Sequence, residues 1–186
     1  GNLMRIKAQH APFIARKIAY ELLKCGFVSL KNGGDEITQI ATDIILKDIN
    51  AERAIEERAN ELMDDNEGDI EFMQVDRRAM FGMIKKKLAS QMGFELGHDE
   101  RYSHISHDIL NTAWKKDALE YNVSENRVKN VIYSAIEGYL KNFEKAQRAA
   151  FDELEGREKL AYGSPEYELA FEKAYEEQLR KHGIIG

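Results

Sequence analysis

The sequence predicts an all-α protein made of two related three-helix units with long helical arms, packed about a pseudo-two-fold axis. The 186 residues include only 2 Pro and 5 Val, while Ala, Ile, Leu, Glu and Lys dominate, a mix that favours helix over strand. Apolar residues recur at steps of three and four in long stretches, the spacing of a buried helix face. The apolar pattern of residues 4–93 also returns in residues 95–186 at a single gap-free offset of 91 residues.

The offset serves three separate segments. Ile14, Ile18 and Lys24 fall on Ile105, Ile109 and Lys115. Ile37, Ile40 and Ile45 fall on Val128, Val131 and Ile136, and Ala79 and Leu88 fall on Ala170 and Leu179. Any two amphipathic helices can be slid into agreement, but one shift that serves all three segments favours a true duplication. The expected units are 4–93, the more divergent copy, and 95–186.

In the second unit the first helix is expected at 102–120, with Ile105, Ile109, Ala113 and Trp114 as its apolar stripe and Asn122-Val123 as its break. Ser124 then caps a long helix over 125–155, because its hydroxyl can accept a free N–H of the first turn. Val128, Val131, Ile132, Ala135 and Ile136 form a broad face that narrows to Leu140, Phe143, Gln147, Ala150 and Leu154, a coiled-coil-like seam. At 1.5 Å per residue this helix is about 45 Å long, longer than a compact three-helix unit needs, so it should project as an arm packed against another helix or another chain. Gly156 ends it. The third helix opens at Ser164-Pro165-Glu166 and closes at Arg180-Lys181-His182-Gly183, with cap, proline, acid, base and C-cap glycine each where helix ends favour them. Tyr167, Phe171 and Tyr175, four residues apart, read as core rather than as a stacking ladder for a ligand. In the first unit Asp35 is the expected cap of the long helix after Gly33-Gly34. Residues 69–89 supply the third helix, with Lys85-Lys86-Lys87 near its carbonyl end.

Gly163-Ser164-Pro165-Glu166-Tyr167, followed by Tyr175-Glu176-Glu177-Gln178-Leu179-Arg180-Lys181-His182-Gly183, resembles the C-terminal signature of a small bacterial family, domain of unknown function 507. The segment from Ile105 to Leu119 and the helix after Ser124 resemble its earlier part, so the similarity covers about 101–185. The first unit departs from the signature, with Phe72-Met73-Gln74-Val75-Asp76 where it would stand. The resemblance implies a helical bacterial protein. It implies no activity, cofactor or site residue.

The net charge of −6 and pI of about 5.5 oppose non-specific grip on a phosphate backbone. Residues 4–93 hold 14 basic and 15 acidic residues, and residues 94–186 hold 13 and 18, so an anion-binding face belongs in the first unit. A single cysteine, Cys25, excludes an intramolecular disulfide and an all-cysteine metal site and suits a reducing compartment. The apolar run from Pro12 to Leu30 is broken by Arg16, Lys17, Glu21 and Lys24, so neither a membrane span nor a signal segment is expected. Met4 reads as the natural start and the protein as soluble and cytoplasmic.

Two clusters carry candidate chemistry. On a helix, Glu100, His104 and Asp108 share a face with His107 beside them, a set that could hold zinc or another divalent ion. The plainer reading is a polar, solvated first turn, and the first unit has Gln9, Phe13 and Lys17 at the matching positions. Arg77, Arg78, Lys85, Lys86 and Lys87, with Phe72, Phe81 and Phe94 nearby in sequence, could bind nucleic acid by charge and stacking. The plainer reading is a solvated helix face and buried phenylalanines. His10 lies fifteen residues from Cys25, too far along one helix to activate it. No P-loop, dinucleotide fingerprint, nucleophile elbow or H-E-x-x-H zinc motif occurs. The sequence therefore points away from an enzyme and from any cofactor. It favours a protein-interaction or scaffolding module with an unknown protein partner, ahead of nucleic-acid binding and of metal or small-ligand binding. A homo-oligomer is compatible with this reading, and a membrane partner is not expected.

Overall fold

The computed structural model describes residues 6–157 and 160–185. Among these residues a 3-10 turn at Ala8–His10 leads into α1 (Ala11–Lys24), β1 (Val28–Leu30), α2 (Gly34–Asp65), α3 (Glu67–Met73), α4 (Arg77–Met92), α5 (His98–Lys115), β2 (Leu119–Tyr121), α6 (Glu125–Glu155) and α7 (Pro165–Lys181). The all-α class holds, with one small two-stranded ribbon added.

The helix ends follow local chemistry. Ser124 Oγ accepts the Arg127 N–H at 3.3 Å and starts α6, and Gly156 stops it. Ser164 Oγ accepts the Tyr167 N–H at 3.1 Å ahead of Pro165. Gly183, at φ 68°, turns the chain out of α7 in the left-handed conformation that glycine adopts without steric cost.

Several boundaries differ from expectation. Asp35 lies inside the first turn of α2. The N-cap is Gly33, whose φ of 80° excludes most side chains, and it makes no side-chain cap. The helix expected over 69–89 is two helices, α3 and α4. The chain reverses at Gln74, φ 53°, and Asp76 restarts it by accepting N–H groups from Arg78 at 2.9 Å and Ala79 at 3.3 Å. Because α4 continues to Met92, Lys85, Lys86 and Lys87 lie in its middle, away from the carbonyl end they were expected to complement. Among the described residues the first half thus has four α-helices instead of three.

The helix expected over 102–120 is α5, which starts at His98 and ends at Lys115. Asp117 takes φ 57° while the Ala118 N–H returns to the Ala113 carbonyl at 2.8 Å, and residues 119–121 leave as β2. Trp114 was expected in the apolar stripe, but it is 54% exposed and its ring rests against Tyr121 at 5.1 Å. Gly26, 91 residues before Asp117, makes the same left-handed turn at φ 87° and releases the chain into β1.

The strands pair antiparallel as Val28 with Tyr121, Ser29 with Glu120 and Leu30 with Leu119. Ser29 and Glu120 are themselves 91 residues apart, so exchanging the strands at that offset maps the register onto itself. The spans of α2 and α6 also correspond at 91 residues, to within one residue at their ends.

A single continuous core runs through both halves. It takes Ile14, Ile18 and Leu22 from α1, Ile37 and Ala41 from α2, Ile109 and Leu110 from α5, and Ile132, Ile136 and Leu140 from α6. Helix α1 packs on both α2 and α6, and α2 packs also on α5. The long helices do not project bare. The distal seam of α6, at Phe143, Ala146, Ala150 and Leu154, is buried, and α7 packs on α6 through its own buried face of Tyr167, Ala174, Tyr175 and Leu179. Helices α3 and α4 pack on α2, whose distal Ile55, Ala59 and Met63 are buried. No helix among the described residues is long and apolar enough to cross a membrane.

Ile136, 1% exposed, tests this core. Ile136→Asp places an unpaired charge there and should lower stability by several kcal/mol, whereas Ile136→Val should cost only about 0.5–1.5 kcal/mol. Thermal unfolding followed by circular dichroism separates the two, and a near-normal midpoint for the aspartate variant would contradict the assigned face.

Candidate functional site

Arg101 occupies the junction of the two halves. From α5 it reaches across to α2, where Nε and Nη2 donate to Asp48 Oδ2 at 2.9 and 2.6 Å and Nη1 donates to Glu52 Oε2 at 2.7 Å. Its guanidinium also lies 5.1 Å from the centre of the Phe94 ring. Lys85 approaches the same helix from α4, 3.4 Å from Glu56 and 3.9 Å from Glu52. These groups border a cavity of about 430 Å³ whose apolar wall includes Ile45, Ile49, Leu96 and Ile105, within the range of roughly 300–1,000 Å³ typical of small-ligand cavities. Burial raises the Asp48 carboxyl above its ordinary range, against the pull of the Arg101 hydrogen bonds and charge. Burial also works against the Arg101 charge, but Asp48 and Glu52 more than offset it and hold the guanidinium high. Arg101 is thus matched to two carboxylates and ties α5 to α2. The arrangement serves as an electrostatic strut.

His10 is the second buried polar centre, only 1% exposed. Its ring stacks on Phe143 of α6 at 5.1 Å and meets Tyr175 of α7 edge-on at 6.3 Å. Glu176 Oε1 is 3.4 Å from Nε2, near enough for charge attraction but not aligned as a hydrogen bond, and neither ring nitrogen has a hydrogen-bond partner. Around it, Lys7 pairs with Glu172 and Gln9 donates to Glu176 at 3.0 Å. Burial lowers the imidazole pKa below its ordinary value, only partly opposed by Glu176. Burial raises the Tyr175 hydroxyl in the same way.

The third feature is apolar. At the far end of α2, Leu62, Ile70, Met73, Val75, Met80 and Ile84 line a groove of about 220 Å³ between α2, α3 and α4. Phe72 is 88% exposed, and Met73 and Met83 are exposed as well. Ala89 is the only residue of α4 that is fully buried.

The profile of one protein family matches residues 4–184, nearly the whole chain. The protein belongs to the family described as Protein of unknown function (DUF507). The match extends the similarity beyond 101–185 and takes in the first half, including the Phe72–Asp76 segment that departs from the C-terminal signature. No curated protein matches the chain.

In this family member the four candidate metal ligands Glu100, His104, His107 and Asp108 are all exposed on α5. Glu100 hydrogen-bonds to Glu95, which raises its pKa. His107 is 4.0 Å from Glu125 of α6. No group of three or more His, Cys, Asp or Glu able to hold a metal is found among the described residues. The five candidate nucleic-acid residues do not share one face. Arg77 pairs with Glu67 and Lys85 turns into α2, which leaves Arg78, Lys86 and Lys87 exposed without an ion-pair partner among the described residues. Phe81 and Phe94 are half-buried, and only Phe72 stands free. Cys25 is partly exposed, and its thiol donates to the Leu22 carbonyl at 3.1 Å. Sequence reasoning missed both Arg101 and His10. Arg101 sits inside a run of polar residues, and the partners of each lie on elements distant in sequence.

Removing one side of this half-buried network leaves its carboxylates uncompensated, so Arg101→Ala should lose about 1–3 kcal/mol, read by urea denaturation. His10 generates a pH dependence. Its folded pKa lies below the unfolded value of about 6.5, so the unfolded chain takes up the proton first as pH falls. The stability His10 contributes is therefore present above that pH and lost below it. The melting temperature should fall between pH 8 and pH 5 in the parent protein, and the fall should be smaller in His10→Phe.

Proposed function

We propose that this protein is a non-enzymatic protein-interaction module of a bacterial cytoplasm, and that the α3–α4 edge is its docking surface. The observation that carries this reading is the apolar groove at that edge, open beside the exposed Phe72, Met73 and Met83. Contiguous exposed apolar side chains on a folded domain mark interaction sites, and methionines adapt to the shape of whatever covers them. The α6 seam, first expected to serve as a docking arm, is used inside the molecule by α7, which moves the proposed surface to α3 and α4. The single free Cys25 is in keeping with a reducing compartment. The matching element spans at 91 residues support reading the chain as two copies of one unit, 4–93 and 95–186.

A photo-reactive residue at Met83 tests the reading in cells. Met83 is expected to give discrete protein adducts that survive nuclease treatment and disappear in a Phe72→Asp, Met73→Asp background that melts like the parent. Absence of adducts, or adducts unchanged by those substitutions, would rule the surface out, and nuclease-sensitive adducts would favour nucleic acid.

A further inference from the structure

We propose that the cavity beside Arg101 is a binding site for a small amphiphile, an apolar body with a single anionic head. The site is independent of the α3–α4 groove. Gly82, Lys85 and Lys86 border it from one side of α4, while Met80 and Ile84 line the groove from the other.

The first observation is a missing side chain. Gly82 stands in the interior of α4, and a Cβ built there would meet nothing within 4 Å. Its φ is not positive, so neither a left-handed backbone nor a close approach calls for glycine at this position. A glycine inside a helix is less stable than an alanine. At helical spacing Gly82 shares its side of α4 with Lys85, whose ammonium reaches α2, and with the buried Ala89. The open space at Gly82 therefore lies on the side turned to α2, where Gly82 borders the cavity. What glycine supplies here is room.

The second observation is which polar groups of the lining remain unused. Ile14, Ile45, Ile105 and Ile136 build the apolar wall from α1, α2, α5 and α6. Arg101 is matched to Asp48 and Glu52, Lys85 lies 3.4 Å from Glu56, and His98 pairs with Glu137 at 2.7 Å. Two donors are left over. Lys86 is exposed at the cavity and has no ion-pair partner among the described residues. Tyr102 is only 8% exposed, yet its hydroxyl has no hydrogen-bond partner among the described residues. Burial raises this phenol above its ordinary range, against the nearby Arg101 charge, and so keeps its proton in place to donate. Both carboxylates of the lining, Asp48 and Glu52, are already engaged by Arg101. An incoming ammonium would thus compete with Arg101, whereas an anionic head meets spare donors, and hydrogen bonds to a charged group are the stronger kind. The isoleucines cover the body.

Calorimetric titration of the full chain with octanoate and with octyl phosphate tests the site, with octanol and octylammonium as probes of the same body. An anion should bind once per chain and raise the melting temperature, and the tighter of the two identifies the head as carboxylate or phosphate. Gly82→Leu should fill the cavity and abolish binding while the melting temperature stays at or above the parent's, because leucine is the better helix former. Lys86→Glu should weaken binding roughly tenfold or more, and Tyr102→Phe roughly severalfold, neither lowering the melting temperature of the free protein. If Gly82→Leu melts early, the Lys86 and Tyr102 variants decide. Absence of saturable binding by both anions, binding that survives these substitutions, or equally tight binding of octanol or octylammonium would overturn the assignment.

Discussion

The structure depends on one constraint: the proximal apolar faces of α1, α2, α5 and α6 meet one another across the two halves. Helix α1 is covered by α2 on one side and by α6 on the other, while α2 also packs on α5. Ile14, Ile18 and Leu22 of the first half and Ile132, Ile136 and Leu140 of the second therefore belong to one core. Burying a side chain of this size is worth about 1.5–3 kcal/mol, and in this shared core the burial draws on both halves. A unit cut at the junction near residue 94 would expose the faces of α1 and α2 that α5 and α6 cover.

Polar groups inside this frame are few and specific. Arg101 brings a charge from α5 onto α2 where Asp48 and Glu52 meet it, and the raised Asp48 carboxyl reflects the cost of taking that pair out of water. His10 is the opposite case, a buried ring that keeps its place by stacking on Phe143 and remains uncharged because burial disfavours its protonation. One interaction fixes the crossing of α5 over α2, and the other fixes the start of α1 against α6 and α7.

What could be read in the sequence was whatever chemistry acts within a few residues. Ser124, Ser164, Pro165, Gly156 and Gly183 mark helix ends because a hydroxyl, a ring or a missing Cβ acts on the adjacent backbone, and the structure places them there. The core stripe of α6 was legible for the same reason. Gln74 and Asp117 were not, because ordinary side chains at positive φ are set by the packing of the flanking elements and leave no compositional mark. The strands escaped because three residues are too few to display alternation. Trp114 was assigned inward by its spacing, yet Ala113 takes the buried position at this end of α5 and the Trp114 ring lies outward against Tyr121. The groove was invisible because it arises where α3 and α4, read as one helix, separate.

The ribbon's register has a consequence for assembly during folding. Because every molecule carries the same two strands, the β1 of one can meet the β2 of another in the same Val28–Tyr121, Ser29–Glu120 and Leu30–Leu119 pairing. The ribbon therefore holds no information that distinguishes self from neighbour. Only the covalent tether through α2 to α5, which keeps a chain's own strand close by, selects intramolecular closure. Crowding many unfolded chains together would weaken that advantage and favour swapped dimers with native strand pairing.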